Sequence, residues 1–315
     1  MEPIVRCTSL KLPSSPSLRF NNLHVNSSTL AVFVEKGKAR LYCLTTGSTR
    51  VLHLEKAKVI LQARFISLNC VEYLAVVSDI GVHIFNGSGQ EILGQLEIDD
   101  VPGNSDSEPS LERCFNCVES IVGSPFFCTG TSDGSLVICH LDVSRKSLSI
   151  ERTIHGHRRS ICSLASSTSY FASGDERGQV SIWSAECDDL LCEFPSMGNP
   201  CSSLFVRSNL ALAAYASGVI RVYDISKARI SVEIDAHCRS LNAMDIHPTL
   251  NIIATVAEDG YLNVWELPSQ SRSEIRLISS EQAPNQLFTG VAFTQGKVSK
   301  IATTSYDNRE IKLWS

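Results

Sequence analysis

Twelve cysteines and eight histidines stand among the 315 residues, and any metal or thiol chemistry must begin with their spacing. Cys114-Phe115-Asn116-Cys117 is a C-x-x-C pair, the spacing of half a zinc site or of a redox couple. Zinc needs four ligands, and neither a second pair nor spaced histidines follow, so the pair reads as thiols of a core or channel strand. The histidines form no H-x-x-H or H-E-x-x-H arrangement, and there is no P-loop or G-x-G-x-x-G to cradle a phosphate. The carboxylates Glu119 and Asp245 lie scattered in strand-like runs. The sequence therefore assigns no catalytic residue, no cofactor-binding residue, no cofactor and no metal ligand, and an enzyme is not expected.

What must position these side chains is a repeating strand. An apolar–any–apolar–bulky motif ends at Tyr42, Phe85, Cys139, Trp183, Tyr223, Trp265 and Trp314, in steps of 40 to 54 residues. All three tryptophans occupy its last position. Glycine stands five residues earlier at Gly37, Gly134, Gly178, Gly218 and Gly260, a turn residue ahead of a strand. A period near forty with a strand motif in each unit marks a β-propeller, here of seven blades with four antiparallel strands each. The clearest unit reads as strands at 231–234, 241–246, 251–256 and 261–267. Seven units account for the chain, so residues 1–315 are expected to form one domain. The exception in rhythm is an acidic, Pro/Gly/Ser-rich insertion at about 98–112, whose composition buries too little apolar surface to order itself and whose Ser105 and Ser107 are candidate phosphorylation sites.

The unit carrying His237, Thr255, Asp259 and Trp265 resembles the WD-repeat propellers. That resemblance implies a buried hydrogen-bonded tetrad of these four side chains. His157, Ser173 and Trp183 match in an earlier blade, although Arg177 stands at the turn-aspartate position. Elsewhere the match thins to turn acids such as Asp79 and Asp133, and to Ala213, Ser217 and Tyr223. The box of sialidase-type propellers is absent, as is the Trp-Asp-x-Arg of ubiquitin-ligase substrate receptors. By family register, Arg158, Arg159, Arg177, Tyr215, Arg239, Glu258, Tyr306 and Arg309 fall on one rim. Arginine and tyrosine are common interface anchors. The expected function is a non-catalytic scaffold for protein or peptide partners, with an acidic partner on the arginine side. The alternative is a small-molecule-binding or hydrolytic propeller that uses its central channel.

Net charge of −5 argues against a nucleic-acid partner. No apolar run is long enough to span a membrane. Cysteines within apolar runs, with no secretory pattern in Met1–Arg6, read as reduced thiols of a cytoplasmic protein. Strand counting leaves the unit ending at Trp314 one strand short. Residues 4–10 have strand composition and are expected to pair beside Ile311 and Leu313, closing the ring and removing an open edge.

Overall fold

The computed structural model describes residues 6–27, 29–54, 56–103, 113–268, 274–295 and 299–315. Their strands form seven four-stranded antiparallel sheets, with no α-helix among the described residues. The first blade holds β2 (His24–Val25), β3 (Leu30–Glu35), β4 (Lys38–Cys43) and β5 (Thr49–Leu52). The second holds β6 (Ile60–Leu68), β7 (Val71–Ser78), β8 (Gly81–Asn86) and β9 (Ile92–Glu97). The third is β10 (Phe115–Ser120), β11 (Phe126–Thr131), β12 (Ser135–Asp142) and β13 (Ser147–His155). The fourth is β14 (Ile161–Ser166), β15 (Tyr170–Asp175), β16 (Val180–Ser184) and β17 (Leu190–Phe194). The fifth comprises β18 (Cys201–Arg207), β19 (Leu210–Tyr215), β20 (Val219–Asp224) and β21 (Arg229–Asp235). The sixth comprises β22 (Leu241–Ile246), β23 (Ile252–Ala257), β24 (Tyr261–Glu266) and β25 (Arg276–Gln282).

The seventh blade is assembled from both ends of the chain. It stacks β26 (Leu287–Phe293), β27 (Ile301–Tyr306) and β28 (Glu310–Trp314), and its outer strand is β1 (Cys7–Lys11). Cys7 pairs with Trp314 and Lys11 with Glu310, and the backbones of Arg6 and Ser315 exchange two further hydrogen bonds. The expected closure is therefore present from residue 6 onward, while residues 4 and 5 lie outside the described residues. Of the acidic insertion, Ile98–Asp100 form a short 3-10 turn, and 104–112, with Ser105 and Ser107, lie outside the described residues.

The pattern of burial explains the motif. Second and third strands are covered on both faces by neighbouring blades, so they read as near-continuous apolar runs. Outer strands such as β13 alternate, with one face wet. Between the fifth and sixth blades, Leu212, Ile220 and Val222 pack against Leu241, Met244, Ile253 and Trp265. The bulky residue ending each motif is buried in every blade.

The glycine before the motif strand has a left-handed φ, +82° at Gly134 and +89° at Gly218. At these two turns a Cβ would also lie 2.1 Å from the His157 carbonyl oxygen and 2.2 Å from that of His237. The turn between second and third strands thus packs directly on the loop that leads into the next inner strand, and both belong to one face of the ring. The Gly134 carbonyl accepts the His157 N–H and that of Gly218 accepts the His237 N–H, each at 3.0 Å.

Candidate functional site

Side chains on this loop face divide into those that hold the blades together and those left outside. In the sixth blade, His237 Nδ1–H donates to Asp259 Oδ2 (3.0 Å), and the Thr255 hydroxyl meets His237 Nε2 (2.9 Å). Trp265 Nε1–H donates to Thr255 Oγ1 (3.0 Å). Asp259 also takes the N–H groups of Tyr261 and Cys238, and its carboxyl is held low although burial alone would raise it.

The fourth blade repeats this geometry with a different acid. His157 Nε2 lies 2.7 Å from Ser173 Oγ, which accepts Trp183 Nε1–H at 2.9 Å. The carboxylate is Asp175, the last residue of β15, 3.4 Å from His157 Nδ1. It stands two residues before Arg177, so the acid missing from the turn is supplied by the strand end. Trp314 Nε1–H donates to Thr303 in the seventh blade, at 2.9 Å. Hence each of the three indoles finds a buried Ser or Thr ten or eleven residues upstream. In the earlier blades the turn acids work differently: Asp133 binds Arg113 (2.9 Å) and the Thr131 hydroxyl, and Asp79 accepts the backbone N–H of Lys58 and Val59.

Arg158, Arg177, Arg239 and Arg309 are placed on this face by the register, and Tyr306 is 46% exposed there. Arg158, Arg177 and Arg239 are on its surface, with Arg159 half-buried and reaching Glu176 at 3.4 Å; Glu258 is half-buried. The Arg158 and Arg177 side chains form no ion pair with any described residue. Tyr215 corrects the register-based reading. It is the last residue of β19, 0% exposed, and its hydroxyl bonds that of Tyr223, which stacks on Phe194 at 4.2 Å. Where Ala213 offers no hydroxyl to the motif aromatic, the strand-end tyrosine provides one, and this draws its ring inward.

The central channel is closed at this face by a segment that the repeat pattern did not flag. Asn21 Nδ2 donates to Ser202 O (2.6 Å), Ser203 Oγ–H returns to Asn21 Oδ1 (2.6 Å), and Asn21 N–H donates to Asn242 O (2.9 Å). Asn22 N–H donates to Thr289 O, and its side chain is bonded to both N–H and C=O of Val34. Two asparagines thus latch the segment onto the fifth, sixth, seventh and first blades. Their only sequence signal is a polar pair, Asn21-Asn22, between Phe20 and Leu23 just before the first strand.

Beneath the latch lies a cavity of about 30 Å³ lined by Asn21, His24, Gln62, Arg64, Met244 and Asp245, room for about one water. Arg64 pairs with Glu119 at 2.8 Å, and burial pushes the Glu119 carboxyl up against that opposing charge. Asp245 accepts the N–H groups of Phe293 (2.7 Å) and Ile246 (2.9 Å), and burial pushes it up to about 6. The opposite mouth holds a hollow of about 260 Å³ that includes His24, Glu72, Ser120 and Asp245.

Cys117 is buried and Cys114 half-buried, and among the described residues no three His, Cys, Asp or Glu side chains gather as a metal site. All twelve cysteines are free thiols. Sequence reading passed over one G-x-S-x-G string, Gly130-Thr131-Ser132-Asp133-Gly134. It forms a strand-to-strand turn with no helix after it, and Ser132 Oγ accepts the Cys114 N–H at 3.0 Å, so it lacks the strand–turn–helix setting of a nucleophile elbow. No described helix is long and apolar enough to cross a membrane.

Among solved structures, a chain of a mitotic checkpoint complex crystal structure matches with a TM-score of 0.78 at 16% identity, over 100% of this chain and 92% of that one. It shares the propeller fold. WD repeat-containing protein 54 of Mus musculus is 24% identical over 96% of this chain and 91% of its own length. WD repeat domain 54 of Rattus norvegicus is 23% identical over the same shares, and WD repeat-containing protein 54 of Homo sapiens is 22% identical over 77% of this chain and 74% of its own. The WDR54 family profile matches residues 105–315, and the chain belongs to that family of WD-repeat β-propellers.

Proposed function

We propose that the protein is a non-catalytic scaffold whose loop face binds an acidic protein or peptide partner, with Arg158 and Arg177 as the charged anchors. The observation that carries this reading is their position on one blade with no ion pair to a described residue, while Asp175 is spent on His157 and Glu176 on Arg159. Guanidinium groups suit carboxylates because two N–H donors meet both oxygens. Membership of the WD-repeat propellers supports a protein-interaction role in general terms. Arg239 and Arg309 extend the same face, and Tyr306 adds an aromatic surface to it.

The rival reading places a small molecule in the channel. The latch leaves room for about one water on this side, and the inward carboxylates Glu119 and Asp245 are already engaged, so the scaffold reading is preferred. Its test is recovery of cross-linked partners by the wild type and by a folded Arg158→Glu/Arg159→Glu/Arg177→Glu variant across a salt series. Loss of a common, salt-sensitive set from the variant is expected. Identical partners with identical salt dependence would overturn the arginine anchor.

A further inference from the structure

The latched segment does more than close the channel. Ser17 N–H donates to Val34 O at 2.8 Å, and Asn21 and Asn22 fix the chain four residues later. Between these anchors Leu18 and Phe20 are 51% and 40% exposed. Hydrogen bonds on both sides hold two apolar side chains in water, at a position where they fill no core. They form a ridge along one hollow, and Arg19 between them borders both that hollow and a second one. The smaller, of about 270 Å³, abuts Ser240, Asn242 and Glu258 of the sixth blade.

The larger, of about 490 Å³, lies where the seventh, first and second blades meet, and its walls include Arg19, Lys36, Lys58, Val59 and Tyr306. Two acids also border it. Glu35 is buried and bonded through both oxygens to Arg40, which leaves Asp307. Arg19, Lys36 and Lys58 form no ion pair with a described residue. Val59 and Tyr306 add exposed apolar surface beside them. Positive charge and apolar area therefore coincide in a single concave site, within a chain whose net charge is −5.

We propose that this hollow and the Leu18–Phe20 ridge form a second docking groove, which takes an extended peptide carrying Asp or Glu next to an aliphatic or aromatic residue. The carboxylates would face Lys36, Lys58 and Arg19, and the apolar side chain would pack on Phe20, Val59 or Tyr306. The groove rests on the scaffold reading given above, yet it lies on blades remote from Arg158 and Arg177, so the two sites fail separately.

The test is to pan a random-peptide phage library on the immobilised full chain and to titrate fluorescein-labelled copies of the selected peptides by polarisation. Selected peptides should pair acidic with apolar residues and bind less tightly as salt is added. Lys36→Glu/Lys58→Glu should weaken them about tenfold or more. Leu18→Ser/Phe20→Ser should weaken them comparably, and Arg158→Glu/Arg177→Glu should leave affinity within about twofold. Thermal melts check that each variant is folded; where charge reversal disturbs the fold, Lys36→Gln/Lys58→Gln should give the same loss at smaller amplitude. The groove is overturned if nothing is enriched over protein-free beads, if the selected peptides lack acids, or if both groove variants bind as the wild type does. Loss confined to the Arg158/Arg177 variant would also overturn it while leaving the arginine anchor standing.

Discussion

At the scale of single residues, a hydroxyl ten positions before a motif aromatic decides how much that blade depends on side-chain hydrogen bonds. Thr255 serves both His237 and Trp265, so Thr255→Val should strand two buried polar groups and cost roughly 2–4 kcal/mol. Thr129 occupies the same position in the third blade, but its Oγ1 meets only the Val137 carbonyl, at 3.4 Å, and the weakly bonding Cys139 thiol, with no histidine or indole. Thr129→Val should cost about 1 kcal/mol or less. Urea melts of the two variants compare them directly, and equal losses would show that the His–Thr–Trp chain has no energetic weight. Trp265→Ala, which removes the indole and also empties its pocket, should cost about 3–5 kcal/mol. The tetrad residues were legible because their types are distinctive at fixed spacing. Asp175 and Tyr215 were not, because a strand-end side chain turns inward or outward according to what its neighbours lack.

Strands and turns make different demands. Gly218 needs both its positive φ and the absence of a Cβ, which would collide with the His237 carbonyl. Gly198 has φ +82°, but a Cβ there would meet nothing within 4 Å. Gly218→Ala should therefore destabilise by roughly 3 kcal/mol or more, through strain plus displaced backbone, and Gly198→Ala by about 1–2 kcal/mol, through the left-handed conformation alone. Thermal melts of both variants separate conformation from contact. Strand β1 offers an independent test, because it covers the otherwise open edge of β28. Removing residues 1–12 should lower the melting temperature by roughly 5–10 °C and raise light scattering as the bare edge recruits other chains. An unchanged melt would mean that the ring does not need its closing strand.

Across the whole molecule, the channel couples folding to pH through groups of opposite sign. His24 lines the cavities at either end of the channel, and its Nδ1 accepts the Phe65 N–H at 3.3 Å. Burial, aided by Arg64, pushes its pKa down from 6.5 to about 3. Between those values the unfolded chain binds a proton that the native state refuses, so acidification from pH 6.5 toward 3 withdraws stability. Asp245 acts in reverse: pushed up from 3.8 to about 6, it takes its proton first in the native state, so acidification from 6 toward 3.8 adds stability. Glu119, which burial also pushes up, works in the same sense as Asp245. Between about pH 6 and 3.8 the contributions of His24 and Asp245 oppose each other and largely cancel. Relative to the wild type, His24→Asn should make urea midpoints rise as the pH falls from about 6 to about 4, and Asp245→Asn should make them fall. The same pH dependence in both variants would contradict this account.

The repeat, the seven blades, the third-strand motif and the closing strand could all be read in the sequence, because each depends on short-range alternation, turn chemistry and a count of strands. The sixth-blade strands foreseen at 241–246 and 261–267 match β22 and β24 to within a residue. The rim arginines could be placed on one face because the meander puts the same two loops of every blade there. Only the tertiary structure decided what those loops leave open. Asn21 finds Ser202 and Ser203 some 180 positions away, and Lys36, Lys58 and Tyr306 meet where the chain's beginning and end adjoin. Such neighbours are set by ring closure. Their separation along the chain carries no period and no local propensity, so the latch, the channel cavities and the basic hollow could emerge only once the seven blades were packed side by side.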